Sequence, residues 1–172
     1  SVTEGHGWMD LPETDTTEIK KTAEWLKGYD SIIHVGIGGS ALGNLMLNQT
    51  LLGDYHNFGG AKPKFHLADN PDPTKTCSIW EEVQQGRVAL VGVSKSGATA
   101  ETMSQFLWFR NEMIKLRGSA DGDILVITDP EKGIFRSFAR SSGCKVMDLP
   151  ASVGGRYSVL SAAGLISAAA AG

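Results

Sequence analysis

Residues 87–118 read RVALVGVSKSGATAETMSQFLWFRNEMIKLRG. An apolar run, a loop crowded with hydroxyls and a stretch of helical spacing follow one another without a break. The run RVALVGV (87–93) is almost continuously Val, Ala and Leu, the pattern of a strand covered on both faces. Strand, short loop and helix in this order make the repeating unit of a parallel α/β sheet. The loop between them, SKSGATAET (94–102), has a single acidic residue, Glu101, and four hydroxyl residues: Ser94, Ser96, Thr99 and Thr102.

The same unit recurs on both sides. TDTTEIKKTAEWLKGY predicts a helix over about residues 15–28, with Ile19, Ala23, Trp25 and Leu26 close to one face and Gly28 near its end. SIIHVGI (31–37) predicts a strand and SALGNLMLNQTLLG (40–53) a helix. KPKFHLAD (62–69) is a second strand, followed by the helix DPTKTCSIWEEVQQG (72–86), opened by Asp72 and Pro73. Beyond the opening stretch come the strand DILVITD (123–129), the helix PEKGIFRSFARSSG (130–143) and the strand CKVMDLP (144–150). Four of the five strand runs are apolar enough to be covered on both faces. The first half-dozen residues carry no periodic signal. This reading gives one doubly wound α/β domain over residues 1–172, a five-stranded parallel sheet with flavodoxin-like strand order. In such sheets ligands sit beyond the carboxyl ends of the strands, near the point where the strand order reverses.

Composition narrows the partners. The chain has 172 residues, 41% of them hydrophobic, and a net charge of −3 without a basic cluster, so nucleic acid and anionic membrane are poor partners. The weakly polar stretch VLSAAGLISAAAAG (159–172) is shorter than the ~20 residues of a membrane span. It reads as a helix broken off in mid-pattern, the mark of a fragment of a longer polypeptide. Cys77 and Cys144 form no CxxC pair and read as reduced thiols of a cytoplasmic protein. No signal peptide is expected, since the N-terminal stretch lacks the charged-then-apolar pattern of a leader.

Three loops point at an anion. GIGGSALG (36–43) has glycines at 36, 38 and 39 that let the backbone turn tightly, and Ser40 is placed to cap the helix that follows. Uncovered amides at a helix N-terminus attract an anion or a sugar oxygen. The stretch also nearly fits the dinucleotide fingerprint G-x-G-x-x-A. The acidic partner of that fingerprint, Asp69, lies further along the chain than the usual ~20 residues, which weakens the match. The hydroxyls of Ser94, Ser96, Thr99 and Thr102, with open amides at the start of the next helix, suit the several acceptor oxygens of a phosphate monoester. Lys95 either adds charge or points to solvent, and Glu101 must face away from a bound anion. In PASVGGRYSVLSAAG (150–164), Gly154 and Gly155 permit close backbone approach, while Arg156 is suited to stabilising a developing oxyanion. The bland alternative for Arg156 is an ion pair with a distant carboxylate.

Other residues carry less. His34 and His66 fall inside strands and read as satisfied core histidines, while His6 and His56 sit in loops without metal-ligand spacing. No metal and no cofactor are expected. Glu81 and Glu82 read as a solvated helix face, and Ser94 lacks the G-x-S-x-G elbow of a hydrolase. Trp25, Trp80 and Trp108 read as core or interface aromatics.

GIGGSALG, SKSGATAET and VGGRYSVLSAAG, in this order and each after its strand, together resemble the glucose-6-phosphate isomerase family over residues from about 31 to the C-terminus. The serine-rich loop alone would suggest only a sugar isomerase (SIS) domain; the VGGRYS stretch narrows it. The resemblance implies that Ser94, Lys95, Ser96, Thr99 and Thr102 hold a sugar phosphate and that Gly39 and Ser40 line the site. Gly155 would bind substrate with them, and Arg156 would stabilise an enediolate. It implies interconversion of glucose 6-phosphate and fructose 6-phosphate, a second SIS domain in the same chain, and a homodimer. It also places the proton-abstracting glutamate, with a histidine and a lysine, in later signatures that these residues do not contain. The domain alone is therefore expected to be inactive. The competing reading is a non-catalytic, sensory or regulatory phosphosugar-binding SIS module.

Overall fold

A computed structural model of the chain describes residues 6–60 and 62–172. The aperiodic reading of the N-terminus falls, for residues 1–5, outside the described residues. The sheet has five parallel strands: β1 (Ser31–Val35), β2 (Lys64–Ala68), β3 (Val88–Val93), β4 (Ile124–Thr128) and β5 (Lys145–Asp148). Their spatial order is β2-β1-β3-β4-β5, the flavodoxin-like order expected. The order reverses between β1 and β3, which pair in register from Ser31↔Val88 to Val35↔Gly92. The loops leaving these two strands therefore flank one crevice.

Helices cover both faces of the sheet. The elements α3 (Pro73–Val83), α4 (Ala100–Arg117) and α5 (Ile134–Ser142) pack Trp80, Phe106, Met113 and Phe135 against Ile33, Leu90 and Val126. On the other face, α1 (Thr17–Leu26) and α6 (Ala162–Ala171) pack Ile19, Leu26 and Ile166 against Ile32, Val91 and Leu125. The helix α2 (Gly39–Leu52) packs against α6. The Asp72 carboxylate caps α3 by accepting from the Lys75 amide at 3.0 Å, with Pro73 in the first turn, as the sequence indicates.

Two expectations are corrected. Only β1, β3 and β4 are buried along their whole length. At the sheet edge, β5 leaves Lys145, Val146 and Asp148 exposed, because no further strand covers its outer side. The second correction lies after β4. Residues 130–133 are not the first turn of a helix but a loop, and α5 begins only at Ile134, after Gly133 at φ 102°.

Phe106 anchors the α4 layer. It is fully buried, its ring lies 4.9 Å from that of Phe135 and 5.4 Å from that of Phe138, and a methyl on Gly92 of β3 would come within 2.8 Å of it. Phe106→Ala is expected to destabilise the fold by about 3–5 kcal/mol. Urea unfolding measures this; a loss below about 1 kcal/mol would mean that α4 closes over the gap.

Candidate functional site

The loops leaving β1, β3, β4 and β5 meet at one end of the sheet. There a cavity of about 580 Å³ is lined by Ser40, Ser94, Lys95, Ser96, Thr99, Asp129, Lys132 and Gly133. A cavity of similar volume, about 540 Å³, lies between α1, β5 and α6. Size does not choose between them. In the second cavity Arg136 and Asp148 satisfy each other, Asp15 is bonded by Thr17, and Glu18 pairs with Lys21. In the first, hydroxyls face open space.

The chemistry of the Ser94–Thr99 loop follows from its internal bonds. The Ser94 hydroxyl accepts from the Gly97 amide at 3.0 Å, and the Ser96 hydroxyl from the Ala98 amide at 3.2 Å. With one lone pair engaged, each hydroxyl still has its own proton to donate. Those two amides are thereby used inside the loop. Thr99 is the N-cap residue of α4, yet its side chain makes no capping bond, so its hydroxyl is uncommitted. The first α4 bond of this turn runs from the Met103 amide to the Thr99 carbonyl at 2.9 Å, which leaves the preceding amides of the turn open. Thr102 differs from its three companions: it is buried in the first turn and does not line the cavity. Glu101 is exposed and also stays out of the cavity, as an anion site requires.

Lys95 lines the cavity, and its charge reaches the Asp129 carboxylate there. Its ammonium donates to the carbonyls of Ala151 at 2.7 Å and Val153 at 2.9 Å, tying the β3 loop to the loop after β5. Its own carbonyl accepts from the Asp129 amide at 3.2 Å and the Thr128 hydroxyl at 3.3 Å.

The loop of Arg156 reaches the β1 loop by backbone contact. A methyl on Gly39 would lie 2.1 Å from the Gly155 carbonyl oxygen and 2.9 Å from the Arg156 nitrogen, so only glycine fits. Arg156 follows in a short 3-10 turn, Gly155–Tyr157. It is exposed, and its side chain makes no ion pair or hydrogen bond among the described residues, unlike a structural arginine. Ser40 is not the cap of α2. Gly38, at φ 58°, holds that position and Ser40 lies inside the first turn, which leaves its hydroxyl to the cavity.

Sequence reasoning missed two parts of this site. Asp129 and Lys132, in the loop after β4, line the cavity; the rule that ligands sit beyond strand ends would have flagged them. A methyl on Gly133 would fall 2.5 Å from the Ser96 carbonyl, so this loop is pressed against the cradle. The Asp129 carboxylate accepts from the amides of Glu131 at 2.9 Å and Lys132 at 3.1 Å, and these bonds hold its pKa below the usual carboxylate value. A carboxylate so stabilised is a poor general base near neutral pH. The other missed part is the N-terminal buttress: Trp8 stacks on Tyr157 with ring centroids 5.4 Å apart, and the Gly7 amide donates to the Ser152 carbonyl at 3.1 Å. No periodic pattern marks those residues.

Behind the β1 loop, His34 Nε2 lies 2.8 Å from the Ser40 carbonyl, which identifies Nε2 as the protonated nitrogen. Burial lowers the His34 pKa to about 4. His34 and His66 are core residues as expected, but each keeps one ring nitrogen without a partner among the described residues. No group of residues there is arranged to hold a metal ion. Both cysteines are free, with Cys144 buried and Cys77 exposed. No described helix is long and apolar enough to cross a membrane.

A family model described as Phosphoglucose isomerase matches residues 15–172. Glucose-6-phosphate isomerase of Carboxydothermus hydrogenoformans is 39% identical over 170 residues, covering 94% of this chain and 36% of that protein. The enzyme of the same name from Rubrobacter xylanophilus is 38% identical, covering 96% of this chain and 40% of its own length. The chain thus spans about two fifths of the relatives that it matches. A crystal structure of a hypothetical protein from Thermus thermophilus superposes with a TM-score of 0.84 at 33% identity, covering 96% of this chain and 39% of that one. That of a Chlamydia trachomatis glucose-6-phosphate isomerase gives 0.79 at 21% identity, over 94% of this chain and 30% of that one, which bears on the fold alone.

The buried imidazole generates a pH prediction. Its pKa is about 4 folded against about 6.5 unfolded, so the unfolded chain binds the extra proton between those values. Stability is therefore fully present above about pH 6.5 and lost as pH falls towards about 4. Between about pH 7 and pH 5 the loss due to His34 should be about 2 kcal/mol. His34→Gln should lose correspondingly less in urea titrations at the two pH values; an unchanged difference would show that His34 is not the titrating group.

Proposed function

The chain belongs to the phosphoglucose isomerase family, and from that premise we propose that it is the sugar-phosphate-binding SIS domain of a glucose-6-phosphate isomerase. The reaction is the aldose–ketose interconversion of glucose 6-phosphate and fructose 6-phosphate through an enediol. The observation that carries this reading is the cavity itself. Ser40, Ser94, Ser96 and Thr99 converge on it, and Gly39 is pressed against the backbone that presents Arg156. Hydroxyl donors at the end of a helix suit a phosphate dianion. Arg156, in the loop that abuts Gly39, carries an unpaired guanidinium of the kind that suits charge appearing on the sugar oxygens during reaction.

In this reading Ser94, Ser96 and Thr99 bind the phosphate with the open amides of α4. Gly39 and Ser40 face the sugar, and Arg156 stabilises the enediolate. Thr102 contributes through the packing of the first turn, and Lys95 by holding the Arg156 loop in place. Asp129, the one carboxylate lining the cavity among the described residues, is held by two backbone amides that favour its ionised form and weaken it as a base. The base is therefore assigned to a second SIS domain of a longer chain, a proposal consistent with the share of the relatives that this chain spans. A homodimer and a cytoplasmic location complete the proposal, the latter supported by two unpaired cysteines. A non-catalytic phosphosugar-binding module is the less favoured reading, because the similar proteins carry the isomerase name.

Two substitutions in the full-length protein separate binding from chemistry. Thr99→Ala removes a hydroxyl aimed at a charged acceptor, a bond worth about 1.5–3 kcal/mol, so KM for fructose 6-phosphate should rise at least about tenfold. An unchanged KM would remove Thr99 from the cradle. Arg156→Ala should lower kcat far more than it raises KM, because the charge it meets exists only in the transition state. Normal kcat in that variant would make Arg156 structural.

A further inference from the structure

Between α2 and α6 lies a set of buried polar groups that neither the phosphate loop nor Arg156 uses. Asn44, Ser167 and His34 are all at most 2% exposed. The Asn44 amide nitrogen donates to the carbonyl of Ala163, and its amide oxygen accepts from the hydroxyl of Ser167. The same nitrogen lies 3.4 Å from His34 Nε2, which contacts the Ser40 carbonyl at 2.8 Å. One side chain on α2 is thus bonded at both ends to α6, and it touches the histidine beneath the β1 loop.

Apolar surfaces of Ala and Leu can slide past one another at little cost, whereas a buried amide finds its partners in one register only. The surroundings make that register matter. Val159, in the loop before α6, is pressed on by two glycines: a methyl on Gly43 would fall 2.8 Å from its side chain, and one on Gly164 would fall 2.0 Å from its carbonyl oxygen. Gly39 in turn abuts Gly155 and the Arg156 nitrogen. The place of Arg156 relative to Ser40 therefore depends on how α2 lies along α6.

We propose that Asn44 is a positioning residue for the isomerisation, acting by fixing the register of α2 on α6 and through it the distance between Arg156 and the Ser40 loop. The proposal rests on the reading of the site given above. Asn44 touches no substrate in this scheme. Losing it should leave phosphate capture at the Ser94–Thr99 loop intact while the oxyanion donor drifts from its post.

The test uses Asn44→Leu and Ser167→Ala in the full-length protein, with steady-state kinetics for fructose 6-phosphate and hydrogen exchange read by mass spectrometry. Asn44→Leu keeps the branched shape, with somewhat greater bulk, and removes both bonds; Ser167→Ala removes one. Asn44→Leu should lower kcat at least about tenfold with KM within about threefold. Exchange should quicken at residues 39–43 and 155–159 and stay unchanged in α3. Ser167→Ala should shift the same quantities in the same direction by less, and it keeps the proposal open to refutation should the leucine variant not fold. A kcat within about twofold of the parent in both variants, or faster exchange spread over α3 as well, would overturn the assignment. If the parent protein itself shows no isomerase activity, the functional reading fails, while the exchange pattern still decides whether Asn44 sets the register.

Discussion

A strand buried on both faces can display chemistry only where it ends. Each residue of β1, β3 and β4 is covered by helices, so no side chain within them is free to meet a ligand. His34 illustrates the constraint. It lies in β1 with the reactivity of an imidazole, yet burial keeps it neutral and confines it to bracing the Ser40 carbonyl. Functional groups are pushed into the loops, and the reversal of strand order between β1 and β3 decides which loops share a crevice.

Loops from four different strands must then be brought within reach of one another, and close backbone approach does this. Gly39 meets Gly155, and Gly133 meets Ser96, at distances that no side chain allows. Gly97, at φ 62°, lets the hydroxyl loop turn back on itself, so that Ser94 accepts the Gly97 amide. These contacts exchange side-chain packing for proximity. Longer-range ties then hold what the glycines bring together: the Lys95 ammonium on two carbonyls of the Arg156 loop, and Trp8 stacked on Tyr157.

The sheet was legible in the sequence because its signal is local. Continuous apolar runs mark the buried strands, and the Ser/Thr and Gly loops stand out against them. The strand order followed from the alternation of elements. Less legible was anything set by contact between distant segments. CKVMDLP reads as a strand like the others, but its edge position leaves β5 largely exposed. PEKG reads as a helix start, yet packing of Gly133 on Ser96 turns it into a wall of the cavity. Ser40 has the chemistry of a cap, but the positive φ of Gly38 starts the helix before it. The bonds of Lys95 lie more than fifty residues away along the chain, beyond any periodicity.

Charge is distributed in this site so that some cations are engaged and two are not: Lys132, which lines the cavity, and Arg156 have no ion pair among the described residues. Lys95 is held by two carbonyls, and Arg136 is bonded to the Asp129 carbonyl at 2.8 Å and to the Asp148 carboxylate. Both are engaged in holding loops together. Arg156 alone among these three has no such engagement, and because it is exposed, water solvates it and the fold gains nothing from it. A phosphate held by neutral hydroxyls and helix amides needs no lysine to bind. On the proposed reading, then, ground-state recognition rests with hydroxyls and helix amides, beside the charges of Lys95 and Lys132 in the cavity wall. The uncommitted guanidinium meets charge only when the substrate develops it, which is the division that raises kcat rather than merely tightening binding.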